Sequence, residues 1–458
     1  MIDKIIPFAD EFDMFPGSGL VLACVSGGAD SMALFEVLMD ISQDRGFTVG
    51  AAHYNHRLRG DESDRDEAFV REVCAARGVP FFSGGGDVKE YAESHGLSLE
   101  EAARDMRYGF FYETVKKTGA VKAATAHTAD DNAETLLMNF TRGAGAAGLS
   151  GIPPVRDIMI RPMLLVSRDE VISFVSGRGV NFVEDSTNAL DVFTRNKIRM
   201  TVMPVLKGIN PKLNESTSAT AALLRADEEY LSGIADKFIS ERCLPLSRFE
   251  TDVQELLNLP LAVSRRVIRK LYGEKKLTYD HVKAVLKLCS NEKPSARLSL
   301  PGMTVYREYG AIVFREIGDI HGFKPIYPEP GEHSIPELSM KITCKILTCG
   351  DTINKSLTSF LFKSVDICGR ISVRPRREGD TIRILGRIGT KTLKKLFIEH
   401  RIPARKRTLI PVIADEKGVL AVYGLGMGSR AVPMPGDLAL QLEFGIRNSE
   451  FGIGDESF

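Results

Sequence analysis

Leu20-Val21-Leu22-Ala23-Cys24-Val25 runs straight into Ser26-Gly27-Gly28-Ala29-Asp30-Ser31. The unbroken apolar run has the length and character of a strand buried on both faces. The two glycines that follow, flanked by hydroxyls and a carboxylate, predict a tight turn. Met32, Leu34, Phe35, Leu38 and Met39 then recur at helical spacing. A strand, a glycine turn and a helix start together make an anion site. The N–H groups of a first helical turn lack intrahelical partners, and the helix dipole favours negative charge there. Glycine lets a phosphate approach the main chain, and Ser26 and Ser31 can add hydroxyl donors. A Gly-rich βα turn without a ligand shows the same local pattern, so neighbouring signals have to decide. The loop lacks the lysine of G-x-x-x-x-G-K-[ST] and the third glycine of G-x-G-x-x-G.

Outward from this stretch, strands and helices alternate. Met1 to about Phe15 reads as a short amphipathic helix stopped by Pro16-Gly17, and Phe47 to His53 as a second strand. Asp61 to Arg77 reads as a helix closed by Gly78, and Val79 to Ser83 as a third strand before a flexible break at Gly84-Gly85-Gly86. Ser98 and Glu101 have capping-box spacing and open a helix over Leu99 to Lys117. Val121 to Ala126 is a fourth strand. The pattern predicts an α/β domain with a doubly wound parallel sheet, whose ligands bind at the carboxyl ends of strands. Three polar clusters follow strands directly: Ser26 to Ser31, His53 to Arg59, and His127 to Thr135. The glycines between Arg142 and Gly151 predict a mobile loop.

The α/β pattern stops near Gly208-Ile209-Asn210-Pro211. We divide the chain into an α/β domain at 1–210, a mainly helical middle domain at 211–325, a Pro/Gly-rich linker at 326–339 and a small, mostly β, α+β domain at 340–458. A chain of 458 residues, 43% hydrophobic and 26% charged, is globular and long enough for several domains. The N-terminus carries no signal-peptide core, and no apolar run has membrane-span length. Seven cysteines without a C-x-x-C pair argue for a reducing cytoplasm and against zinc or an iron–sulfur cluster. The formal net charge is zero, so a nucleic-acid partner would have to be met by local charge.

Each cluster has a plain structural reading beside the functional one. His53 and His56 are spaced like a metal pair but have no acidic or cysteine companions, which favours hydrogen bonding. Arg104 and Arg107, three apart on one helix, can clamp phosphate or form surface salt bridges. His127, Asp130, Asp131 and Glu134 gather at one helix start, where carboxylates also serve as ordinary caps.

S-G-G-x-D-S, H-x-N-H-x-L-R-G, A-A-R-x-x-R-Y, A-H-T-x-D-D-x-A-E-T, E-D-x-T-N and R-N-x-x-R occur here in that order. Near the C-terminus follow Arg374-Pro375-Arg376-Arg377-Glu378-Gly379-Asp380, Lys391-Thr392-Leu393-Lys394-Lys395-Leu396-Phe397 and Ile402-Pro403. The set resembles the tRNA(Ile)-lysidine synthetases of the PP-loop ATPase superfamily, over most of residues 20 to 430. The resemblance implies an adenine nucleotide alpha hydrolase-like fold. It also implies ATP-dependent ligation of free L-lysine to C2 of the first anticodon cytidine in an isoleucine tRNA with a CAU anticodon. An adenylated tRNA is the intermediate, and AMP and pyrophosphate are released.

On this resemblance Ser26, Gly27, Gly28, Ala29, Asp30, Ser31 and His53 hold ATP, with Asp30 carrying Mg²⁺. His127 lies near the adenylated centre and Arg107 on phosphate. Asp131 binds the lysine ammonium and helps remove its proton. Arg104, Arg107 and Arg195 bind substrate. Arg374, Arg376, Arg377, Lys391, Lys394 and Lys395 supply the positive charge for tRNA. A solvated basic face is the alternative for that run. A homo-oligomer is left open.

Rival readings are a PP-loop tRNA thiolase, other AMP-forming ligases and an RNA-binding protein with structural ATP. A thiolase would bring paired cysteines for sulfur. The other ligases lack both the His53 to Arg59 stretch and the basic C-terminal region.

Overall fold

The computed structural model describes residues 1–58, 60–183, 194–242, 250–273, 277–291, 293, 295–316, 322–350 and 356–446. Arg59 and the Glu184 to Asn188 turn lie outside the described residues. The chain divides into two compact units, Met1–Tyr230 and Leu231–Phe458.

The first unit begins with α1 (Ile2–Glu11), then β1 (Leu20–Cys24), α2 (Ala29–Arg45), β2 (Thr48–Asn55), α3 (Asp61–Ala76) and β3 (Phe81–Gly85). It continues with α4 (Val88–His95), α5 (Leu99–Thr118), β4 (Lys122–Ala124), α6 (Ala129–Thr141), α7 (Ala146–Leu149), β5 (Val155–Arg156), β6 (Met159–Ile160) and α8 (Arg168–Gly177). The sheet order is β3-β2-β1-β4-β6-β5, parallel except for the β5–β6 pair. Val21, Leu22 and Ala23 are fully buried because helices cover both faces. The chain winds outward from β1 to β3 and returns on the other side at β4. The crevice between the ends of β1 and β4 is therefore the topological switch point, where open parallel sheets take ligands.

Two expectations need correction here. β3 extends through Gly84 and Gly85, so the glycines are not a flexible break. A Cβ on Gly84 would lie 2.5 Å from the Phe110 ring, and one on Gly85 2.7 Å from the Asn55 carbonyl oxygen. Close packing requires glycine at both. The 142–151 loop is likewise tied down. It contains α7, Asn139 Nδ2 donates to the Gly148 carbonyl at 2.7 Å, and Asn132 Oδ1 accepts the Ile152 N–H at 2.8 Å.

The helix Leu213–Arg242 carries the chain into the second unit. Helices Val253–Asn258, Leu261–Tyr272 and Tyr279–Cys289 pack there with an antiparallel sheet of 250–252, 311–316, 303–308 and 295–300. Two further four-stranded sheets share one apolar core, with Ile342, Phe360, Phe362 and Leu442 from one and Val373, Val412 and Leu420 from the other. The stretch read as a linker contributes Gly331–Ile335 to the first of these, paired with Met340–Thr348. Its prolines flank the strand rather than interrupt it, and Gly331 begins it. Among the described residues no helix is long and apolar enough to cross a membrane.

Candidate active site

The ends of β1, β2 and β4 open into a cavity of about 500 Å³. Ser26, Gly28, Asp30 and Ser31 line it from the first loop, His53 to His56 from β2, Arg107 from α5, and His127, Asp131 and Arg195 from the far side. Sequence-distant clusters meet there. Arg104 is exposed outside the wall, its guanidinium lying over the Tyr108 ring at 4.9 Å. None of residues 142–151 lines the cavity among the described residues.

The first loop is wound around one hydroxyl. Ser31 Oγ accepts the N–H groups of Ser26 and Gly27, both at 3.1 Å, and donates to the Gly28 carbonyl at 2.9 Å. Ser31 thus shapes the turn and also lines the cavity. Gly27 sits at φ +95° with Val70 and Phe69 against it, a conformation that disfavours a side chain. Gly28 caps α2 without a side-chain bond, so the first helical turn presents its N–H groups to the cavity end.

His53 is buried and donates from Nδ1 to the Val25 carbonyl at 2.9 Å. This fixes Nε2 as an acceptor. Burial holds its proton affinity below the ordinary value, with the Val25 bond working the other way, so the ring is neutral.

Across the cavity, α6 starts with a capping box. Thr128 accepts the Asp131 N–H, and Asp131 Oδ2 accepts the Thr128 N–H at 2.9 Å. The other oxygen of Asp131 accepts from Arg195 at 2.8 Å and Arg199 at 3.2 Å. Glu134, 1% exposed, accepts from Arg195 Nε at 2.9 Å and Arg199 Nε at 2.6 Å. Two carboxylates and two guanidiniums form a compact quartet. Arg199 reaches it from a π turn, Ile198–Val202. Burial opposes the Asp131 charge, but Arg195, His127 and the Thr128 N–H outweigh it and hold the carboxyl below the usual range. Burial also pushes His127 well below its ordinary value, reinforced by Arg161 and Arg195 and opposed by Asp131. His127 Nδ1 and Thr125 Oγ1 share a hydrogen bond at 2.9 Å. Arg161, 1% exposed, sits behind the site with Nη1 on the Pro153 carbonyl at 2.7 Å.

Arg107 lines the same space with burial telling against its charge. A desolvated cation of this kind is stabilised by an anionic ligand. Asp30 has one oxygen on Arg168 at 2.6 Å, while its Oδ1 is buried with no partner among the described residues. Burial raises its proton affinity, with Arg168 working the other way. No group of three or more His, Cys, Asp or Glu gathers to hold a metal among the described residues. Mg²⁺ commonly takes only one or two carboxylates, with phosphate oxygens and waters completing the shell. An orphaned carboxylate oxygen beside the Gly-rich turn fits that habit.

The expected tRNA cations divide. Arg374 is 5% exposed and grips Asp380 with two bonds, at 2.8 and 2.9 Å, so it supports the C-terminal core rather than a surface. A basic run does not reveal which of its arginines faces inward. Arg377, Lys394 and Lys395 are exposed, Arg376 is half-buried, and Lys391 pairs with Glu399 at 2.8 Å. Sequence reasoning passed over Arg161, Arg168 and Arg199 as site residues. For Arg199 the spacing of four from Arg195 was an available signal, since both then share a helix face.

A PP-loop domain model matches residues 6–206 of the chain. A TilS substrate binding domain model matches 252–313, and a TilS substrate C-terminal domain model 371–443. The tRNA(Ile)-lysidine synthase of Geobacter sulfurreducens is 34% identical over 455 residues, 96% of each chain. That of Caldanaerobacter subterraneus subsp. tengcongensis is 32% identical over 442 residues, 94% of each chain. That of Clostridioides difficile is 32% identical over 439 residues, 92% of this chain and 94% of its own.

Proposed function

Because the chain belongs to the tRNA(Ile)-lysidine synthase family, we propose that the cavity at the ends of β1, β2 and β4 is where both steps of lysidine formation occur. The enzyme uses ATP to form lysidine in tRNA(Ile). The observation that carries the site assignment is the meeting of the α2 N-terminus, Arg107, His127 and Asp131 around one cavity at the switch point.

The triphosphate meets the free N–H groups of α2, with Arg107 as the facing cation. His53 Nε2 offers the acceptor that an adenine amino group requires. Cytosine is a poor electrophile at C2, so its carbonyl oxygen first attacks the α-phosphorus. The bond from that phosphorus to the bridging oxygen breaks, and pyrophosphate leaves into the Ser26 to Ser31 turn. Asp30 would hold Mg²⁺, which offsets the charge of the departing group.

The lysine side-chain nitrogen then attacks C2, and the C2–O bond breaks to release AMP. At pH 7 only about one lysine in a few thousand is neutral, so the ammonium has to lose a proton before attack. Asp131, held ionised by its arginine partners, suits attraction of the ammonium and is a weak base. His127, held well below its ordinary value by burial, enters neutral, and an anionic nucleotide beside it raises its proton affinity. Asp131 draws in the ammonium and helps remove its proton, with His127 facing the same space.

The test is AMP release from ATP and an isoleucine tRNA transcript with a CAU anticodon, with and without lysine. Lysine-dependent AMP release is expected. In Asp131→Asn the lysine KM should rise about tenfold or more while pyrophosphate release persists. An unchanged lysine KM would remove Asp131 from lysine binding.

A further inference from the structure

Arg168 opens α8 far from the pyrophosphate turn in sequence, yet its Nη1 lies 2.6 Å from Asp30 Oδ2. Its main-chain N–H donates to Asp130 Oδ2 at 2.8 Å, and Lys207 Nζ holds Asp130 Oδ1 at 2.6 Å. The side chain of Arg168 therefore reaches the loop that meets the triphosphate. Its main chain reaches the first turn of α6, where Asp131 sits. We propose that Arg168 is a positioning residue for the reaction, setting the rotamer of Asp30 so that the second carboxylate oxygen serves the Mg²⁺-bound phosphates. This rests on the reading of Asp30 as the Mg²⁺ ligand.

The geometry separates this role from general support. A carboxylate fixed through one oxygen can turn only about that anchor, so its second oxygen is held in place. Asp30 Oδ1 has no partner among the described residues, so Arg168 is the group that orients the carboxylate. A side-chain substitution at Arg168 leaves its N–H, and with it the link to Asp130, intact. A second ion pair also joins α8 to α2: Arg178 Nη1 lies 2.7 Å from Asp40. Both pairs are partly exposed, Arg168 at 45% and Arg178 at 40%. Arg178 is a matched control that bridges the same two helices away from the turn.

The experiment is calorimetric titration of the full-length protein with ATP across a series of Mg²⁺ concentrations, with thermal unfolding alongside. For Arg168→Gln the Mg²⁺ concentration giving half-maximal ATP affinity should rise about tenfold, the loss of one charge-assisted bond. Arg168→Lys should recover part of that loss, and Arg178→Gln should behave as wild type. Wild-type Mg²⁺ dependence in Arg168→Gln would overturn the proposal, as would an equal shift in Arg178→Gln. Asp30→Asn separates the two layers. If it leaves the Mg²⁺ dependence unchanged, the metal reading of Asp30 fails and the proposal with it. If it shifts the dependence and Arg168→Gln does not, only the role of Arg168 is lost.

Discussion

His127 joins stability to the proposed chemistry through a single proton. Burial, Arg161 and Arg195 hold its proton affinity well below the ordinary value of about 6.5, with Asp131 opposing them. The folded protein thus binds fewer protons than the unfolded chain at mildly acid pH. Its contribution to stability is complete above the ordinary value and is lost as pH falls toward the depressed folded value. The wild-type unfolding free energy from urea titration should fall between pH 7.5 and pH 5, by up to about 1.4 kcal/mol for each pH unit below 6.5 from this group. His127→Gln should flatten that dependence, and an equal slope in both proteins would show that His127 is not the titrating group. The residues at the cavity were unevenly legible in sequence. His127 and Asp131 were readable because they follow a strand directly. Arg168 was not, because its partner Asp30 lies 138 residues away and no local pattern encodes so distant an ion pair.

At the scale of elements, three strand ends and two helix starts make the site. The strands were legible from apolar runs, and the capping box of α5 from Ser98 and Glu101. The α6 capping box was hidden inside a stretch that also reads as catalytic, since Thr128 and Asp131 serve both patterns. α4 was not foreseen; the glycines before it suggested a break, and its own apolar positions are few. The pyrophosphate turn shows how an element is built from one hydroxyl. Ser31→Ala would leave the N–H groups of Ser26 and Gly27 without their acceptor, while the Gly28 carbonyl keeps its bond from the Met32 N–H. The Gly27 N–H is buried, and orphaning such a group costs about 1–3 kcal/mol, so the turn should lose its shape. Affinity for ATP should drop about tenfold or more with the rest of the sheet unaltered, measured by calorimetry and by thermal unfolding. Unchanged ATP affinity would mean that the turn holds its shape without Ser31.

For the whole molecule the formal charge is zero, so any grip on a polyanion has to come from uneven placement. The Arg374 to Arg407 run is basic in sequence, but the fold assigns its members to different duties. Arg374 is committed to Asp380, and Arg407 donates from Nε to the Ile402 carbonyl at 2.9 Å. Lys394 and Lys395 are exposed on the helix Leu393–Glu399, whose Leu393, Leu396 and Phe397 face the core. If the exposed lysines neutralise tRNA phosphates, Lys394→Ala with Lys395→Ala should weaken binding and lower the slope of log affinity against log salt by roughly two, close to one per contact. Arg374→Ala should instead lower the unfolding midpoint, because it leaves Asp380 without its paired cation. Binding measured over a salt series for both variants, beside thermal unfolding, separates recognition from support. A full salt slope in the double lysine variant would move the RNA surface to another part of the chain. A salt slope lowered in Arg374→Ala without loss of stability would return that arginine to the phosphate surface.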